Sequence, residues 1–117
     1  MNGIEWLIEA FECSEHATRE LATLQSLFRT VVEEMALRPV GEPLWHQFPS
    51  GGGVTGMWLL QESHLTVHTF PEYRSACVNI FCCRPRQALD WQKTFSQLLG
   101  AKEVRVREHR RIYRLDD

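Results

Sequence analysis

"SHLTVHTFPEYRSACVNIFCC", residues 63–83, holds two alternating apolar runs joined by a short proline-containing turn. In the first run Leu65 and Val67 share one face, and His64, Thr66, His68 and Phe70 share the other. In the second, Ala76, Val78 and Ile80 lie opposite Cys77, Asn79, Phe81 and Cys83. A period of two predicts a pair of strands over 65–70 and 75–83, each with one plain apolar face. A strand that only fills a core has no use for a serine and two imidazoles, so the other face is either a polar surface or a reaction centre.

The same reading extends outward. Residues 4–11 alternate and predict a first strand. Ser14 is a candidate N-cap for one amphipathic helix over 15–37, on which Ala17, Leu21, Leu24, Phe28, Val31, Val32 and Met35 recur at helical spacing, with Pro39, Gly41 and Pro43 beyond it. Strands over 44–48 and 54–60 are predicted across the flexible turn "PSGGG". Pro85 is read as the start of a second helix carrying Ala88, Leu89, Trp91, Phe95, Leu98 and Leu99, closed by Gly100. The basic run "KEVRVREHRRIYRL" predicts a last strand whose charges protect a sheet edge. The order β-α-β-β-β-β-α-β describes an α+β fold: a two-layer sandwich of about six antiparallel strands with two helices on one face.

The chain has 117 residues, enough for a single domain with one core. At 24% charged residues and a net charge of −2, it has the balance of an ordinary globular protein, which points to neither nucleic acid nor membrane as partner. No apolar run approaches the roughly 18–20 residues that span a bilayer. The start "MNGIEWLIEAFEC" carries acids where a secretory signal needs a basic beginning, so a cytoplasmic location is expected. Cys13, Cys77, Cys82 and Cys83 include no C-x-x-C pair, and adjacent strand cysteines face opposite ways; small buried reduced thiols are expected, with no metal site.

If the apolar faces meet the helices, His68 and Cys83 lie on the helix-free face, and Ser63 in the preceding turn can sit near them. A hydroxyl, an imidazole and a thiol would then converge. The residues alone leave open a serine or cysteine hydrolase. However, G-x-S-x-G is absent and no acid is evidently placed to orient His68.

"GVTGMWLLQESHLTVHTFPEY", residues 53–73, continued by "ACVNIFCC" to Cys83, resembles the short prokaryotic S-adenosylmethionine decarboxylase family. That family carries G-V-[ST]-G, then E-S-H-[LI]-[ST]-[IV]-H-T-W-P-E, then A-x-[VI]-D-x-F-x-C at the same spacing. The resemblance implies self-cleavage between Glu62 and Ser63 into a β chain, 1–62, and an α chain, 63–117. Ser63 Oγ would attack the Glu62 carbonyl to form an ester. Loss of the Ser63 α-proton would then eliminate chain 1–62 as a free carboxylate, and hydrolysis with loss of ammonia would leave a covalent pyruvoyl group at position 63.

The pyruvoyl cofactor implied by the resemblance forms a Schiff base with an amino-acid-type substrate and accepts electrons as carbon dioxide leaves. By the same correspondence His68 and Thr55 assist processing, and Cys83 returns a proton to the α-carbon. Glu72 would hold ribose hydroxyls, while Phe48 and Phe70 offer faces to adenine. A homodimer of cleaved protomers, with sites near the interface, and a place in polyamine (spermidine) synthesis are implied as well.

The sequence departs from the family pattern at Phe70, Arg74-Ser75, Asn79, Cys82 and Arg84, and Glu5 stands where the family often has His. Relatives that decarboxylate L-arginine or L-ornithine with the same machinery make those substrates the alternative, with Glu5, Glu9 and Glu72 as candidate acids. An uncleaved, non-catalytic homologue with a regulatory binding role is the alternative from another class.

Overall fold

The computed structural model describes residues 2–61, 63–84 and 86–115. Strand β1 is Asn2–Phe11, followed by helices α1 (Glu15–Arg19) and α2 (Leu21–Glu34). Strands β2 (Leu44–Gln47), β3 (Val54–Leu60) and β4 (Ser63–Phe70) come next, and a 3₁₀ turn at Pro71–Tyr73 leads into β5 (Ser75–Cys82). Helix α3 (Trp91–Leu99) and strand β6 (Glu103–Ile112) end the fold. The strands form one antiparallel sheet in the order β2-β3-β4-β5-β1-β6.

Alternation decides which face of that sheet is covered. Trp6, Ile8 and Ala10 of β1, Leu65 and Val67 of β4, and Val78 and Ile80 of β5 are all buried. They pack with Leu24, Leu27, Phe28 and Val31 of α2 and with Trp91, Phe95 and Leu99 of α3 in a single core. The opposite face carries no helix. The expected two-layer α+β sandwich is therefore the observed fold, and the basic strand β6 does lie at an edge.

Two helix expectations need correction. The helix anticipated over 15–37 is two helices, broken at Glu20, whose backbone is extended (φ −93°, ψ 113°). Ser14 caps α1 as expected, accepting from the Ala17 N–H at 3.2 Å. The second helix α2 ends at Glu34, and Ala36 at φ 53° turns the chain well before Pro39.

Helix α3 starts at Trp91, because Asp90 accepts from the Lys93 N–H at 3.1 Å and caps it there. A side-chain acceptor stabilises a helix start more directly than a proline only permits one. Ala88 and Leu89 precede the helix, and Pro85 lies outside the described residues. Gly100 closes α3 in the left-handed conformation at φ 70°.

Candidate active site

Strand β4 begins at Ser63, so the serine obeys strand alternation and is not free of it in a turn. Its cross-strand partners are Leu60 on β3 and Cys82 on β5, which are both buried on the helix side. Cross-strand partners share a face, so Ser63 points to the helix side as well. Its hydroxyl lies beside the Cys82 thiol and pulls that thiol's pKa down. Ser63, Cys82 and Cys83 line one small cavity of about 10 Å³, room for about a single water, with Arg38, Arg84 and Arg86 on its rim.

His68 is elsewhere. It stands opposite Thr55 of β3 on the helix-free face, with Thr55 Oγ1 and His68 Nδ1 3.1 Å apart. Five residues of strand separate it from Ser63, about 16 Å at the usual rise, and an odd offset puts the two on opposite faces. The expected convergence of Ser63, His68 and Cys83 on one face therefore does not occur within one chain. Ser63 and Cys83 come together, and His68 comes together with Thr55.

Phe70 ends β4 and Glu72 lies in the 3₁₀ turn after it, both exposed, and Phe48 follows β2 beside the glycine turn that leads into β3. The anticipated substrate-binding residues thus group with Thr55 and His68. Glu62, the anticipated partner of Ser63 at the scissile bond, lies outside the described residues.

Burial pushes the Cys82 thiol pKa up, against the opposing pull of Arg86 and of the Ser63 hydroxyl, so Cys82 stays protonated at neutral pH. Burial also pushes Cys13 up to about 11. All four cysteines are free; Cys13 and Cys82 are buried as expected, whereas Cys77 is exposed and Cys83 half-buried.

Cys82 escaped the sequence reading as a neighbour of Ser63, because only the β4–β5 register places them together. Gly3 escaped it too. A Cβ there would lie 2.4 Å from the Cys82 carbonyl oxygen, so only glycine lets β1 pass this close to the cavity wall. An isolated glycine within an apolar strand was the available signal.

The departures from the family pattern fall in separate places. Arg74 adopts the left-handed conformation (φ 52°) and donates to the Cys13 carbonyl at 2.7 Å, joining the turn after β4 to the end of β1. Arg84 alone of the two added arginines borders the Ser63 cavity. Glu5 and Glu9 are held by arginines of this chain, Arg111 and Arg107 of β6.

The Asn79 amide donates to Glu5 at 2.8 Å and, ahead of the opposing effect of burial and with help from Arg111, holds that carboxyl below its ordinary value of 4.5. His64 adds a further downward pull, and His109 stands opposite Glu5 on β6. A depressed native pKa contributes stability that is present above the unfolded value and lost as pH falls through the native one. Wild type is therefore expected to exceed Glu5→Gln in urea midpoint at neutral pH. The gap should close as the pH drops below 4.5, and a gap independent of pH would remove Glu5 from this role.

A family model described as S-adenosylmethionine decarboxylase matches residues 4–112. The chain belongs to the S-adenosylmethionine decarboxylase family. The S-adenosylmethionine decarboxylase proenzyme of Thermotoga petrophila is 31% identical over 112 residues, covering 93% of this chain and 83% of that one. The proenzyme of Prochlorococcus marinus is 31% identical over 115 residues, with 95% and 88% covered. Among solved structures, the adenosylmethionine decarboxylase from Aquifex aeolicus shares the fold, with a TM-score of 0.78 at 24% identity over 93% of this chain and 89% of that one. This family member thus keeps the decarboxylase sheet and helix layer nearly end to end. Among its described residues no helix is long and apolar enough to cross a membrane.

Proposed function

We propose that this chain is a self-processing, pyruvoyl-dependent decarboxylase that cleaves between Glu62 and Ser63 and acts on S-adenosylmethionine, giving the decarboxylated product for spermidine synthesis. The observation that carries the reading is Ser63 at the head of β4, opposite Cys82 and in a cavity that Cys82 and Cys83 also line. These residues fit a pyruvoyl group at position 63: the side chain is half-buried and shares its small cavity with the thiols of Cys82 and Cys83. Such a group supplies an electrophilic carbonyl and an electron sink for the loss of carbon dioxide.

The residues of the chain do the rest. The Cys83 thiol delivers a proton to the substrate α-carbon. The His68 imidazole, fixed by Thr55, moves the proton that cleavage requires. Glu72 accepts ribose hydroxyls, and Phe48 and Phe70, both partly exposed, flank adenine.

The two groups of residues lie too far apart to act on one bond within one chain. A homodimer that brings the Thr55–His68 end of one copy to the Ser63–Cys83 end of the other resolves this. S-adenosylmethionine is favoured over arginine or ornithine because Glu5 and Glu9, two of the acids that a second cationic group would seek, already hold Arg111 and Arg107.

The denatured intact mass of freshly purified protein tests the reading. Two fragments, 1–62 and a 63–117 piece with a blocked N-terminus, are expected. A single chain of 13.7 kDa would overturn self-processing and leave the uncleaved regulatory homologue. Carbon dioxide release measured side by side from S-adenosylmethionine, arginine and ornithine then decides the substrate.

A further inference from the structure

The residue after Ser63 is tied across the sheet. His64 Nε2 lies 3.0 Å from Asn79 Oδ1 on β5, Asn79 Nδ2 donates to Glu5 Oε2 on β1 at 2.8 Å, and Arg111 of β6 donates to Glu5 Oε1. The four side chains cross four neighbouring strands, β4, β5, β1 and β6, on the helix-free face. Phe81 supports both ends. Its ring stacks on His64 with centroids 5.8 Å apart, and the Arg111 guanidinium sits over it at 5.9 Å.

Chemistry sets the direction of every bond in this line. A carboxylate only accepts, so the Asn79 NH₂ must face Glu5 and its carbonyl must face His64. His64 therefore carries its proton on Nε2. A carboxylate at position 79 could not donate to Glu5, and an apolar residue there could reach neither neighbour.

Before cleavage, residue 63 is held by peptide bonds on both sides. After cleavage it is a chain end, and its covalent hold runs through His64 alone. We propose that the Arg111–Glu5–Asn79–His64 line is a positioning device that keeps the chain end created at residue 63 seated against β5 after self-cleavage. The proposal rests on the self-processing reading above. None of the four residues touches the reacting atoms; they act through the backbone of His64. Their loss should therefore be felt mainly after the bond is cut, since the uncut chain is positioned from both sides.

Asn79→Asp tests it by placing two carboxylates face to face. Cleavage is expected to stay within a few-fold of wild type, while kcat falls on the order of 10–100-fold with a smaller change in KM, as for a reacting group displaced by about an ångström. The double variant Glu5→Gln with Asn79→Asp reverses the polarity of the line: the amide introduced at position 5 donates to the carboxylate introduced at position 79, which still accepts from His64. It should recover kcat to within a few-fold of wild type, a coupling that two independent lesions would not show. If Asn79→Asp does not accumulate as folded protein, Glu5→Leu cuts the line without a second carboxylate and carries the same expectation.

Wild-type kcat in the single variants, or no recovery in the double, overturns the positioning role. Intact mass read on the same samples separates this from the other failure. A wild type that is never cut overturns self-processing, and the positioning device with it.

Discussion

Ser63→Ala should remain one chain of 13.7 kDa and release no carbon dioxide from S-adenosylmethionine, a loss of at least about 10⁴-fold. The size of the effect follows from what is removed. Without Oγ there is no attack on the Glu62 carbonyl, hence no ester, no chain end and no covalent electrophile. The fold should be almost untouched. Ser63 is half-buried, and its replacement removes one small hydroxyl beside Cys82 and no apolar packing. Intact mass and a urea melt on the same sample distinguish a dead, folded chain from a misfolded one. A Ser63→Ala chain that still turned over substrate would end the pyruvoyl reading.

Co-production of Ser63→Ala with His68→Ala should restore activity that neither variant has alone. The register of the sheet is the reason. Thr55 and His68 stand about five strand residues from Ser63 and on the other face, so on the proposed dimeric reading a complete site would draw on both copies. In a mixed dimer one site unites the Ser63 of one copy with the His68 of the other, and its companion site lacks both. With random assembly half of the dimers are mixed and half of their sites are whole, so roughly one quarter of wild-type cleavage and turnover is expected. The cleaved fraction read by mass spectrometry counts these sites directly. No cleavage in the mixture would mean that both residues serve the same chain, and the dimeric site would fall.

The helix break at Glu20 shows where local reading stops. Apolar residues continue at helical spacing from Ala17 through Leu21 to Leu24, so periodicity cannot register a single extended residue between them. The start of α3 differs from the expected one for a related reason. Proline at a first helical position is permissive, whereas the Asp90 cap that governs the start lies five residues further on. The line from Arg111 to His64 was visible only as separate oddities, Glu5 and Asn79 among them. They prove to be two ends of one hydrogen bond, 74 residues apart in sequence.

Strand alternation, a property of neighbouring residues, was enough by itself to determine the sheet, the side its helices cover, and the polar character of the open face. The run from Gly53 to Cys83 determined the family. Register was decided by tertiary structure alone, because pairing across a sheet joins residues that no local pattern connects. That register gave Ser63 the Cys82 thiol as its neighbour and set Thr55 opposite His68, so the candidate site residues fall into two groups along β4.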